Sequence, residues 1–455
     1  MQSIAQSQSP DSVGKYDTVI LGGWVFHTDS GTFVKNRGIG ILGERFVSLD
    51  LQDQLEQLKQ TLTDQQVIRL DDQRYILPGL IDCHAHYNVK LIKRRREEFE
   101  VMPVVYLANG VTVTFSCGEF DPEQMESLRK RIEARQQVGP RLINSGPYFG
   151  RARPGWRGEK PESEIRAEVD YWAGRGVGGF KAKQIAPSEL KALIDQAHKH
   201  GLTVTGHLDS GFRSSVNPRD AIDFGIDRIE HFLGGDAMLD SKPAYETLGS
   251  ITADMSEYKA IVQKFVEHGT WFDATLTAYG YFGHPGEEFG YWFDERSLFT
   301  SHVQDMVKKK GPVQPNEQFA KIYQAKIDTL ASYFQAGGKL TLGTDHVSDG
   351  NHLPGFGAHR ELDAFVRSGI PPADAIRIGT INGACALKID QDHGSIEKGK
   401  IADLFVVRGN PLENIRNSRN VEQVLRRGKI HLADQLLATV VGKLGPSSEN
   451  ENDDW

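Results

Sequence analysis

With 455 residues, 61 Asp and Glu against 53 Lys and Arg, and a formal net charge of -8, the chain can bury a sizeable core and lacks the clustered positive surface of a nucleic-acid binder. It has no run of about 18 apolar residues to cross a bilayer, and its start has neither a basic n-region nor an apolar h-region. The three cysteines, Cys83, Cys117 and Cys385, are too few and too scattered for a disulfide framework, so a soluble protein of a reducing, cytoplasmic compartment is expected.

In chain order, residues 1–15 form a polar tail. Residues 16–75 alternate apolar and polar groups in short runs such as Thr18-Val19-Ile20-Leu21 and Gln66-Val67-Ile68-Arg69-Leu70, which predicts antiparallel β-structure. From 76 to 394 strand-like runs alternate with helix-like ones. Gly110-Val111-Thr112-Val113-Thr114-Phe115 precedes a helix after Asp121-Pro122, and Glu189–Ala197 shows helical spacing after a Ser188 cap. This alternation predicts parallel strands with right-handed crossover helices closed into a (β/α)₈ TIM barrel. Within it, Lys93-Arg94-Arg95-Arg96, followed by Glu97 and Glu98, reads as the solvated face of a helix. The aromatic stretch 279–310, with Tyr281, Phe282, Tyr291, Trp292 and Phe293, reads either as an insertion over the mouth of a site or as a packed surface excursion. Alternating texture returns over 395–440, so both chain ends are expected to build one small β-sandwich domain, followed by an acidic tail at 441–455.

The chemistry is concentrated at predicted strand ends. Leu77-Pro78-Gly79-Leu80-Ile81-Asp82-Cys83-His84-Ala85-His86 runs from an apolar strand into two histidines at alternate positions, which project to one side and suit a metal ion; Cys83 faces away as a core thiol. Lys181, His207, His231 and Asp345 each end a later apolar run. Nitrogen and oxygen ligands without thiolates suit zinc, although other divalent metals fit the same geometry. A lysine in such a site must shed its proton, and addition of carbon dioxide gives a carbamate that bridges two cations. His84, His86 and Asp345 would then hold one metal and His207 and His231 the other, the two sharing a hydroxide, with Asp345 as the proton carrier. Lys183 lies on the same face as Lys181, so either residue, or neither, is the bridge. His198 and His200 close a helix and read as structural.

These motifs, together with Gly176-Val177-Gly178-Gly179-Phe180-Lys181, Ile229-Glu230-His231, Gly343-Thr344-Asp345 and Gly394–Leu404, resemble the amidohydrolase superfamily. Within it the resemblance is to the branch with imidazolonepropionase-like hydrolases, metal-dependent prolidases and acyl-amino-acid hydrolases. It implies a distorted TIM barrel, a composite β-sandwich, two zinc ions with a carbamate on Lys181, and assembly into homo-oligomers. Deaminases of the superfamily resemble a mononuclear design with a glutamate three residues after the strand-5 histidine; here that position is Ser210. The expected activity is therefore hydrolysis of amide C–N bonds in N-acyl amino acids or dipeptides. A lactonase, an organophosphate or carboxyl esterase, or a cyclic-amide hydrolase stands as the alternative. A substrate carboxylate would need Arg151, Arg153 or Arg157, with Tyr148 as a donor to the carbonyl, and His346, His352 and His359 follow Asp345 as further candidate contacts.

Overall fold

The computed structural model describes residues 16–54, 58, 62–91, 94–209, 215–284, 295–311, 314–345 and 353–454. The expected tail at 1–15 lies outside them, as do Tyr291, Trp292 and Phe293 of the aromatic stretch. No helix among the described residues is long and apolar enough to cross a membrane.

The first strands are β1 (Thr18–His27), β2 (Thr32–Lys35), β3 (Ile39–Leu42), β4 (Arg45–Ser48) and β5 (Val67–Pro78). β1 pairs antiparallel with β2 and β3, and β3 with β4, as the alternation predicts. The pairing of β1 with β5 is parallel, which corrects the all-antiparallel reading. The connection through β2–β4 is long enough to bring the chain back in its original direction. The register shifts between Gly22 and Trp24; Gly22 has φ 78°, and a Cβ there would run into the Leu70 carbonyl oxygen, so this bulge requires glycine.

The middle of the chain is α/β. β6 (Leu80–Ala85) leads into a hairpin of β7 (Asn88–Leu91) and β8 (Arg94–Glu97), so Arg94, Arg95 and Arg96 of the basic run lie in a strand and not in a helix, while Lys93 is outside the described residues. There Arg94 pairs with Leu91 and Glu97 with Asn88, and the ladder satisfies a backbone that local charge balance alone had assigned to a helix. β9 (Val111–Ser116) and β10 (Arg141–Ile143) pair parallel beside β6. A second, six-stranded parallel sheet follows, built of β11 (Tyr148–Phe149), β12 (Gly179–Lys183), β13 (Thr203–His207), β14 (Arg228–Glu230), β15 (Trp271–Asp273) and β16 (Lys339–Thr341). Helices separate most of these strands. Pro122–Glu133 starts where the Asp121 carboxylate accepts from Gln124 N at 3.0 Å. Pro187–Lys199 is capped by Glu189, which accepts from Ala186 N at 3.0 Å, and not by Ser188, whose hydroxyl turns to Glu159. Beyond β16 the backbone returns to β6: Cys83 N donates to Leu342 O at 2.8 Å and Asp345 N to His84 O at 3.0 Å.

Near the C-terminus β17 (Leu404–Arg408), β18 (Val421–Arg426) and β19 (Lys429–Leu432) join β5 antiparallel, so both chain ends share one eight-stranded mixed sheet. Ile20, Ile39, Ile41, Phe46, Ile76 and Leu404 pack together in its core. The segment expected to be a solvated acidic tail is pinned at its start. Leu444 is buried, exchanging backbone bonds with Leu298 and Thr300, and Gly445 N donates to the Glu98 carboxylate at 3.1 Å. Composition there reads as solvated, but one buried leucine and paired backbone groups order the stretch.

Candidate metal centre

Asp82, buried within β6, ties the first and last parallel strands together. Its Oδ1 accepts from His84 N at 3.0 Å and Thr344 N at 3.2 Å, and its Oδ2 accepts from the Thr344 hydroxyl at 2.7 Å. This brace sets Asp345 beside the β6 histidines. The Asp345 Oδ1 lies 3.3 Å from His84 Nε2 and 3.1 Å from His86 Nε2, and its Oδ2 lies 3.6 Å from His231 Nε2. The His231 ring is 5.1 Å from that of His84 and 4.6 Å from that of His207. His84, His86, His207, His231 and Asp345 thus lie side by side. Two donors each about 2.1 Å from one tetrahedral cation stand roughly 3.4 Å apart, so the separations around Asp345 suit a shared ion.

Burial works against ionisation of Asp345, yet the His84, His86 and His231 imidazoles hold its carboxyl well below the usual range. Burial, with His207 alongside, pushes His231 well below the ordinary imidazole value, and burial takes His207 down to about 4. Both are therefore neutral, the form that binds a metal. The buried atoms His84 Nδ1, His231 Nε2 and both Asp273 carboxylate oxygens have no hydrogen-bond partner. Such buried orphans need a partner, a water or an ion, and imidazole and carboxylate atoms are donors that a cation can use. The ligand atoms cluster in two overlapping groups, His84, His86 and Asp345, and His84, Glu230 and His231, so the donor set fits a divalent metal.

Lys181 on β12 is 1% exposed, and burial lowers its amine to about 8. Its Nζ donates to Glu230 Oε2 and, at 3.3 Å, to Cys117 Sγ. Glu230 Oε1 also accepts from the Cys117 thiol at 2.8 Å and the Thr205 hydroxyl at 2.7 Å. Neither Glu230 nor Cys117 was expected from the sequence. Strand alternation sends Glu230 and His231 to opposite faces, but His231 has φ 64°, and this left-handed turn at the end of β14 lets both reach the centre. A carboxylate inside the apolar run Arg228-Ile229-Glu230 was the available signal. Asp273, at the end of Trp271-Phe272-Asp273, was missed in the same way. It is fully buried with Oδ2 3.7 Å from His84 Nδ1, and a Cβ at Gly343 would strike its carboxylate.

The substrate-contact candidates divide. Tyr148 is the register partner of Lys181, is buried over Gly118, and lies 5.2 Å from the ring of the half-exposed Phe120. Arg151 is exposed, and the Arg153 guanidinium is paired with Glu168. The His359 ring is buried and held by Asn109 O at 2.9 Å and Ser418 Oγ at 3.0 Å, so both of its nitrogens are engaged within the protein rather than offered to a substrate. His346 and His352 lie outside the described residues. Cys83 packs with Ile81, Val113 and Phe115 as a core thiol, and His198 and His200 bind Asp227 and Asp170 at 2.9 and 2.6 Å, as expected of structural residues.

Comparison with known proteins places these features. Residues 75–431 match the model of the Amidohydrolase family. A Mycobacterium tuberculosis protein described as uncharacterized is 32% identical over 189 residues, covering 36% of this chain and 46% of its own, so the chain spans about half the length of that relative. An ochratoxinase of Aspergillus niger is 22% identical over 419 residues, 78% of this chain and 75% of that one. Among solved structures, a Xaa-Pro dipeptidase with bound methionine superposes with a TM-score of 0.67 at 23% identity, covering 91% of this chain and 99% of that chain, which speaks to the fold. With the family model matched over most of its length and the ligand-type side chains gathered at the ends of its parallel strands, the chain belongs to the amidohydrolase family.

Proposed function

We propose that the protein is a metal-dependent hydrolase of amide C–N bonds, acting on N-acyl amino acids or dipeptides at a centre for two divalent cations, zinc being the metal its donors suit. What supports this first is the convergence of the His84, His86 and His231 imidazoles on the Asp345 carboxylate, with the His231 Nε2 lone pair unpartnered. His84, His86 and Asp345 would hold one ion and His207 and His231 the other. Bound there, the metals supply a Lewis acid for the scissile carbonyl and a nucleophile at neutral pH. Asp345 takes the proton of the attacking water and returns it to the leaving nitrogen.

Lys181 would join the two sites as a carbamate, and an amine with a value near 8 keeps a reactive neutral fraction at pH 7. Its contact with Glu230 has to be given up for that. The Cys83–Leu342 and His84–Asp345 backbone bonds would close the parallel strands into a (β/α)₈ barrel over 76–394, with the shared sheet of 16–75 and 395–440 as the composite β-sandwich. Tyr148 would donate to the carbonyl, and Arg151 would meet a substrate carboxylate. The names ochratoxinase and Xaa-Pro dipeptidase borne by proteins of similar chain or fold favour amide over ester substrates. Unpaired cysteines suit the cytoplasm.

The test is elemental analysis per chain, joined to a screen of N-acyl amino acids, dipeptides and esters. Two equivalents of metal with amide cleavage bear the reading out. One equivalent removes the Lys181 bridge, and turnover of esters alone moves the protein to the lactonase or esterase class.

A further inference from the structure

Lys326 projects from the helix Glu317–Gln335 into the interior, 7% exposed, although a lysine is among the costliest side chains to bury. Its Nζ donates to two backbone carbonyls, His231 O at 2.6 Å and Ala274 O at 2.8 Å, and lies 4.5 Å from the centre of the Tyr279 ring. Those two carbonyls belong to special turns. His231 has φ 64° and Thr275, next to Ala274, has φ 45°, and a non-glycine residue persists in the left-handed region only where its surroundings hold it. A second buried side chain grips the same turn: the Glu361 carboxylate accepts from Leu276 N at 2.8 Å and Thr277 N at 2.9 Å.

The turn holds the ring of His231. His231 Nδ1 and Thr275 Oγ1 are 2.6 Å apart, and the Thr275 hydroxyl also reaches Ala274 O at 2.9 Å. A hydroxyl carries one proton. If it donates to Ala274 O, it accepts from Nδ1–H, and His231 Nε2 is left as a bare lone pair aimed at Asp345 Oδ2. In the opposite tautomer the Nε2–H would face Asp345 Oδ2, 3.6 Å away, and no lone pair would be left for a cation.

We propose that Lys326 and Thr275 are positioning residues for metal capture, a relay from Lys326 through Ala274 O and the Thr275 hydroxyl that fixes the tautomer and direction of His231. The inference rests on His231 being a metal ligand. Lys326 acts through the backbone: it holds the two turns whose geometry directs the ligand.

The test is titration of the metal-free protein with Zn²⁺, and with Co²⁺ for its visible spectrum, on the wild type, Lys326→Met, Thr275→Val, Thr275→Ser and His231→Asn, each first checked for folding by circular dichroism. Outer partners of a ligating histidine typically change metal affinity 10- to 100-fold. Lys326→Met and Thr275→Val are expected to weaken one metal equivalent by about that factor and alter the cobalt bands, with Thr275→Ser restoring the wild-type affinity. Wild-type affinity in both folded variants, while His231→Asn loses an equivalent, would overturn the relay and leave the ligand reading standing. Full metal affinity in His231→Asn would sink the ligand reading and the relay with it. Should Lys326→Met fail to fold, the Thr275 pair decides by the same criterion.

Discussion

Glu230 and Lys181 form a fully buried ion pair in which the carboxylate occupies the ammonium group that a carbamate would have to replace. Removing one partner of a buried pair leaves the other charge uncompensated, typically at a cost of about 3 to 5 kcal/mol. Glu230→Ala is therefore expected to destabilise the metal-free protein by about that amount at pH 6, where Lys181 is charged, and by clearly less at pH 9. Denaturant unfolding at the two pH values checks it; an equal loss at both would remove the charge explanation.

The two buried lysines give a signed pH dependence. Lys181 is lowered to about 8 and Lys326 to about 7 by burial, from an ordinary 10.5. Above those values the folded protein has released protons that the unfolded chain still binds, so stability rises with pH from about 7 towards the ordinary lysine value of 10.5. Below pH 7 the burial penalty is fully present. Lys326→Met is expected to flatten the lower part of this rise relative to wild type, and Lys181→Met the upper part, in unfolding curves of the metal-free protein. Parallel curves for wild type and variants would contradict the assigned directions.

Asp345→Asn keeps the shape of the side chain but loses both a charge among three imidazoles and a proton acceptor. Turnover is expected to fall by about 10² to 10⁴, with weaker retention of metal because Asp345 also stands at ligand distance. Measuring kcat beside metal content at saturating zinc separates the two effects. Unchanged kcat would take Asp345 out of the proton path.

Gly343→Ala places a methyl group against the Asp273 carboxylate. Overpacking of this kind costs typically 1 to 3 kcal/mol. The shift should also reach His84, whose Nδ1 faces Asp273. Lower Tm together with weaker metal binding is expected; a fall in Tm with metal affinity intact would show that Asp273 does not orient His84.

His359→Ala tests the reassignment of that residue. Loss of two buried hydrogen bonds and packing is expected to cost about 2 to 4 kcal/mol, while kcat and KM of the folded enzyme stay within about twofold. A large rise in KM with unchanged stability would return His359 to the substrate site.

The candidate ligands that end apolar runs were legible because strand periodicity fixes direction. His84 in β6 and His86 just past its end alternate, so they need no tertiary information to face the same way, and His207 and Asp345 close later apolar runs. Glu230 and His231 were half legible. Alternation allows one of two neighbours inward, and only the left-handed turn at His231 admits both. Nearness in sequence to Asp345 makes His359 a candidate contact but says nothing about where a helix turns its side chains, and here the ring is buried and bonded at both nitrogens.

What the sequence determined by itself was the α/β alternation, the pairing of the two chain ends and the residue types able to hold a metal, since each follows from local period and composition. Tertiary structure alone decided the parallel join of β1 to β5, the hairpin made by the basic run, and the partners of Lys181 and Lys326. Those depend on which backbone and side-chain groups meet once the chain is folded, and a buried charge takes its character from the group it meets there.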